Sequence, residues 1–134
     1  MTTLDAPSIT AHKYVSFTTF RRDGTPVATP VWIASLGGNE AGFTTDLDSG
    51  KVKRLRNNTA VTLRPCDARG RVAADAPTVE AIAAVVTGAD TRRVRVAIRG
   101  KYPFLGNLLG LGAAVSRLVR RSAASDAAIV VTLP

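Results

Sequence analysis

Hydrophobic and polar positions alternate with a period near two in the first third of the chain. Residues 14–20, Tyr-Val-Ser-Phe-Thr-Thr-Phe, are aromatic and β-branched with partial alternation, which predicts a strand. Arg21-Arg22-Asp23-Gly24-Thr25 follows, and Asp-Gly between two such runs is the strongest short hairpin signal. Residues 26–34 read as the second strand, with Val27, Thr29, Val31 and Ile33 on one face and Ala28, Pro30, Trp32 and Ala34 on the other. Gly37-Gly38-Asn39 turns the chain, and residues 41–45 supply a third strand.

The period then lengthens. Asp48 or Ser49 can cap a helix over residues 51–58, in which Val52 and Leu55 anchor one side while Lys51, Lys53, Arg54 and Arg56 fan over the rest. Residues 59–66 return as a strand, Val61 and Leu63 facing one way and Thr62 and Arg64 the other. After a turn at 67–71, residues 78–87 read as a fifth strand, although their alanines make a helix a competitor; Gly88 ends the segment either way. Asp90 caps a helix through about Lys101, Pro103 breaks it, residues 104–121 read as another helix, and 127–133 close the chain as a strand. The order predicts a mostly β fold with α: a six-stranded antiparallel barrel with short helices packed at its ends, over one domain spanning residues 1–134. Closure into a barrel also removes the unpaired edges of an open sheet.

Composition narrows the chemistry. With 46% hydrophobic and 21% charged residues the chain is not of the disordered class, and its length suits one core. The longest uncharged apolar stretch, residues 102–115, is shorter than the ~20 residues of a membrane span, and the first residues lack the layout of a signal peptide. A cytoplasmic location is the expectation. One cysteine (Cys66) and one histidine (His12) allow no intrachain disulfide and too few ligands for a zinc site, so no metal is expected. Catalysis, if present, belongs to a bound cofactor.

The charge is lopsided. Residues 1–50 carry a net −2 and residues 51–134 a net +10, with eight basic and no acidic residues between Thr91 and Ser125. An anionic partner is implied. The best-placed candidate segment is Thr44-Thr45-Asp46-Leu47-Asp48-Ser49-Gly50-Lys51-Val52-Lys53-Arg54, where a strand delivers two hydroxyls and a helix starts under serine and glycine amid three cations. Unpartnered helix amides beside cations suit a phosphate. It is not a Walker loop, since position 45 is Thr45 rather than glycine; a solvated basic helix face is the plainer alternative. Pro30, in Ala28-Thr29-Pro30-Val31-Trp32, marks an edge, a bulge or a close ligand approach, against an ordinary bulge with Trp32 in the core.

Taken together, residues 14–32 and the run Asp48 to Asn58 resemble the flavin and deazaflavin oxidoreductases of the pyridoxamine 5′-phosphate oxidase-like superfamily, and most of all its branch that binds coenzyme F420. The resemblance is strong over residues 13–71 and weaker to the C-terminus. It implies a split β-barrel, a homodimer with the cofactor at the interface, and a small-molecule substrate. By the same resemblance Thr29, Pro30, Val31 and Trp32 line the tricyclic ring, while Thr44, Thr45, Ser49, Gly50, Lys51, Val52, Lys53 and Arg54 hold the ribityl chain and phosphate. Lys51 and Lys53 are the expected phosphate cations, with Ser49 and Gly50 as backbone donors. Alanines in Val79-Glu80-Ala81-Ile82-Ala83-Ala84 and the long apolar stretch 101–121 depart from simpler members and bear on the substrate pocket.

The implied activity is reduction of a small organic substrate with F420 as hydride carrier; FMN is the alternative cofactor, favoured less because a phosphodiester and polyglutamate tail suit the basic surface. No catalytic side chain is assigned, and Tyr14, His12 and solvent are all candidate proton donors. A non-catalytic cofactor binder is the second class. A nucleic-acid or membrane binder acting through the arginines of residues 92–121 is the third. It is disfavoured because only Tyr102 and Phe104 interleave aromatics with those basic residues.

Overall fold

The computed structural model describes residues 9–101 and 127–134. Seven strands, β1 (Tyr14–Phe20), β2 (Pro26–Val31), β3 (Ala34–Gly37), β4 (Glu40–Thr45), β5 (Ala60–Cys66), β6 (Val79–Val86) and β7 (Ala127–Thr132), form a single antiparallel sheet. Their order is β2-β1-β5-β6-β7-β4-β3. Among the described residues, the helices α1 (Gly50–Leu55) and α2 (Ala89–Lys101) accompany them.

The sheet curls. β1 and β4 are separated by three strands, which in a flat sheet would put them ~19 Å apart at ~4.8 Å per strand. Instead the rings of Phe17 and Phe43 meet edge to face with centroids 4.8 Å apart. The strands therefore wrap around a shared interior, giving the half-barrel of a split β-barrel. Inward residues Val15, Phe17, Phe43, Val61, Leu63, Ile129 and Val131 fill it, all 2% exposed or less.

The count is seven strands where six were expected, and one break accounts for the difference. The second run does not continue to Ala34; the ladder with β1 stops at the pair Val15–Val31, and a new ladder with β4 starts at Ala34–Gly42. Trp32 and Ile33 lie between. The run has to serve neighbours at opposite ends of the sheet, and it bends between them. β2 and β3, the two edges of the sheet, are successive pieces of one stretch of chain.

The turns follow their residues. Gly24 (φ 89°) closes the first hairpin, helped by Asp23 Oδ1, which accepts from the Thr25 amide at 2.9 Å. Gly37 and Gly38 both have positive φ at the β3–β4 turn. β6 resolves the helix-or-strand ambiguity as strand, since the β5 and β7 ladders flank it on both sides.

α1 contacts β1 and β6 and buries Val52 and Leu55, as its spacing requires. α2 departs from expectation in two respects. Its first bond runs from the Arg92 amide to the Gly88 carbonyl, so Gly88 stands at the start and Asp90 falls within the first turn, where its charge favours the helix dipole. It also covers a face of the sheet rather than an opening. Gly42 points away from the inward Phe43, and a Cβ placed there would lie 3.2 Å from Val94 Cγ2. A larger residue than glycine would hold the helix off. The helix expected over residues 104–121 lies outside the described residues. Among those described, no helix is long and apolar enough to cross a membrane.

Candidate functional site

The segment after β4 is built around Ser49. Its side chain caps α1, accepting from the Val52 amide at 3.3 Å, and it receives a second hydrogen bond from Thr45 Oγ1 at 3.1 Å. Its own amide donates to the Asp46 carbonyl at 3.0 Å. Of the two backbone donors expected for a phosphate, Ser49 is thus engaged internally, and the Gly50 amide remains. Val52 is a core residue under the helix and contributes its amide to the cap.

The cations separate by direction. Arg54 turns back along its helix: a Cβ on Gly50 would lie 2.7 Å from an Arg54 Nη1. Arg54 Nε also donates to Thr19 Oγ1, at 2.5 Å, across to β1. Burial and the like charge of Arg21 both lower the Arg54 guanidinium below its ordinary value. The positive charge of Arg21 thus acts on the Arg54 guanidinium, and an anion bound there would relieve it. Lys51 is half-buried, whereas Lys53 on α1 and Arg56 just past its end are exposed.

β2 carries the other candidates. Proline suits this strand because β2 is the edge of the sheet, so a missing N–H costs no ladder bond on its open side. Thr29 lies opposite Phe17, two residues from the Thr19–Val27 pair, which puts it ~7 Å along the strand from the level at which Arg54 reaches β1. Its Oγ1 is buried and has no hydrogen-bond partner among the described residues. Buried hydroxyls normally have a partner, so this one is suited to receive a ligand atom. Val31 and Trp32 are core residues at 5% and 7% exposure.

Some candidates face elsewhere. Pro30 alternates to the opposite side of β2, where the Asp67–Arg71 turn covers it: a Cβ on Gly70 would lie 3.4 Å from Pro30 Cδ. Thr44 alternates away from Phe43 and Thr45 and pairs with Ala128. The structure therefore brings together Thr45 with Ser49 and Gly50 with Arg54, puts Thr29 on the inward side of β2 two residues from the level that Arg54 reaches, and places Pro30 and Thr44 on the other side of their strands.

Thr19 and Arg21 were not singled out by sequence reasoning. Thr19 gave a signal: it is the polar member of the inward series Val15, Phe17, Thr19, and it is fully buried. Of the candidate proton donors, Tyr14 is buried at 8% exposure and His12 is exposed. The half-buried Cys66 thiol is pushed up to about 11 by burial and by the neighbouring Asp67, so at neutral pH it is not a thiolate nucleophile.

Comparison with known proteins places this architecture. No curated protein matches the chain. Among solved structures, the chain is similar to a conserved hypothetical protein from Mycobacterium tuberculosis, with a TM-score of 0.63, 20% identity, and coverage of 94% of this chain and 75% of that one. It is similar to an F420 reductase, with a TM-score of 0.59 at 22% identity over 99% of this chain and 95% of the other. It is also similar to the heme storage protein HutZ from Vibrio cholerae, with a TM-score of 0.63 at 12% identity over 98% and 91%. At these identities the likeness concerns the fold. The model of the pyridoxamine 5′-phosphate oxidase family matches residues 5–104, most of the chain, and the protein belongs to that family.

Proposed function

We propose that this protein is an oxidoreductase that uses coenzyme F420 as a hydride carrier to reduce a small organic substrate. The observation that carries the reading is the Arg54–Thr19 contact, which holds a guanidinium beside Arg21 at the helix that follows Thr45 and Ser49. The fold family and the similarity to an F420 reductase support it.

The residues fit an elongated anionic cofactor in two respects. Arg54 and Arg21 supply positive charge, and among the described residues the buried Thr29 hydroxyl has no hydrogen-bond partner along the same strand pair. Arg54, the Gly50 amide and Lys51 would hold the phosphate, and Thr29 with the edge of β2 would border the ring. When bound, the coenzyme supplies the hydride. The chain's part is to fix an anionic anchor remote from the reacting carbon and let that binding energy orient the ring. A homodimer with the site at its interface is part of the proposal.

Titration of the purified protein with F420 and with FMN, followed by cofactor fluorescence, tests it. Saturable binding of F420 that weakens in the Lys51→Ala/Lys53→Ala double variant and in Arg54→Met is expected. Tighter binding of FMN would transfer the reading to a flavin enzyme, and absence of binding to either would overturn it. If F420 binds but no hydride leaves it across a panel of substrates, the protein is a cofactor binder.

A further inference from the structure

We infer that Lys101, the last residue of α2, is a positioning residue that fixes the bend at Trp32–Ile33 in the second strand run. Between the last pair of β1 with β2 and the first pair of β3 with β4, two residues stand outside both ladders. Both are buried, Trp32 at 7% and Ile33 at 0% exposure. A buried carbonyl at such a break needs a donor from elsewhere. Lys101 Nζ provides it, donating to the Ile33 carbonyl at 2.5 Å and to the His12 carbonyl, in the lead-in to β1, at 2.7 Å. One ammonium group therefore ties together the ends of two strand runs where their own ladder has stopped.

The choice of residue has a physical reason. The two carbonyls come from positions 21 residues apart in the chain. A lysine ammonium offers three rotatable donors, whereas a guanidinium offers a flat fork. The arrangement is not one that raises stability for its own sake. Burial pulls the ammonium down to about 8, below its ordinary value, which means that holding it charged at neutral pH works against folding. A residue kept at such a cost is better explained by where it holds the chain. What it holds is the segment Thr29–Trp32, which the proposed function places beside the cofactor ring, so the link to binding rests on that reading. The link to the bend does not.

Trp32 is the single tryptophan of the chain, so its fluorescence reports the bend directly. The full chain is compared with Lys101→Met and Lys101→Arg at pH 7, reading Trp32 emission, its quenching by acrylamide, and the thermal midpoint. Lys101→Met is expected to shift emission to longer wavelength and to raise the quenching constant about twofold or more, with an unchanged or higher Tm. Lys101→Arg, which keeps the charge but replaces the rotatable donors with a flat fork, is expected to restore the shielding only in part. Two outcomes would overturn the inference. One is emission and quenching unchanged in Lys101→Met. The other is a loss of Tm in both variants that tracks the emission change, which would make Lys101 an ordinary structural contact. F420 titration of the same variants then separates the two readings: if the wild type binds no cofactor while Trp32 responds as expected, the proposed function fails and the positioning role stands.

Discussion

Arg54 of α1 donates to Thr19 of β1 although the helix carrying it could have sent that side chain into solvent. Its guanidinium lies over Gly50, and the charge of Arg21 acts on it. Like charges that act on each other weaken the free protein and strengthen its hold on a multivalent anion. Sulfate or phosphate should therefore raise Tm more than chloride at equal ionic strength, and Arg54→Met should abolish the difference while leaving the far-UV spectrum unchanged. Thermal scans in the three salts check this. An equal response of wild type and variant would show that the pair of arginines is merely solvated.

The same contact predicts coupling. Replacing Thr19 with valine keeps the volume of a fully buried position and removes the acceptor. A hydrogen bond to a charged donor is worth about 1.5–3 kcal/mol, less here because Arg54 is partly exposed, so a coupling near 1 kcal/mol is expected between Thr19→Val and Arg54→Met. Urea unfolding of the four proteins measures it, and zero coupling would mean that the contact contributes nothing.

Gly42→Ala should destabilise by about 1–3 kcal/mol through overpacking. The added Cβ would sit 3.1 Å from the Ile129 carbonyl, 3.1 Å from Leu36 Cδ1 and 3.2 Å from Val94 Cγ2. Alanine would gain about 0.5–1 kcal/mol from reduced backbone freedom in the unfolded chain, but the carbonyl belongs to the β4–β7 ladder and cannot yield as a side chain could. Packing wins. A lower Tm by several degrees is the expected result, and no loss would show that α2 does not rest on β4.

Much of this was legible in the sequence, for reasons that differ by element. The β1–β2 and β3–β4 turns were announced by Asp23-Gly24 and Gly37-Gly38, because positive φ leaves few alternatives to glycine. The Ser49 cap was legible because a cap is a local hydrogen bond three residues long. The break at Trp32–Ile33 was not, since alternation continues through it and the cause is a partner strand far along the chain. The seat of α2 against the outer side of β4 was hidden for the same reason; only Gly42, read afterwards, marks it. At the candidate site, cation direction did not follow from spacing. Arg54, ranked below Lys51 and Lys53, makes the contact to Thr19 because a long side chain on a short helix can fold back over glycine.

Asp67 gives the turn over Pro30 an acid dependence. Its carboxylate accepts from the amides of Arg69 at 2.9 Å and Arg71 at 2.8 Å. The hydrogen bond from the Arg71 amide, then that from the Arg69 amide and the charges of both arginines, hold its carboxyl below the usual range. A carboxyl depressed in the folded state stabilises above its unfolded value, ~3.9, and loses that contribution as pH falls through the folded one. The amide proton shifts of Arg69 and Arg71 should titrate with a midpoint below ~3.9, and Asp67→Ala should remove the titration. A midpoint at or above the unfolded value would contradict the hydrogen bonds.

Ser49 separates folding from binding. As cap, its hydroxyl satisfies the Val52 amide, and Ser49→Ala should cost about 1 kcal/mol. Aspartate caps a helix as well as serine does and adds a negative charge that suits the helix dipole, so Ser49→Asp should keep Tm within about a degree or two of wild type. The same charge would stand within the Thr45–Ser49–Gly50 mouth, where the proposed phosphate is held beside Arg54. Ser49→Asp should thus lose F420 affinity by tenfold or more while Ser49→Ala, though less stable, loses little. The reverse order, with alanine the poorer binder and aspartate unaffected, would place the anion elsewhere on the protein. Measured side by side, the two variants distinguish a residue that builds the corner from one that touches what the corner holds.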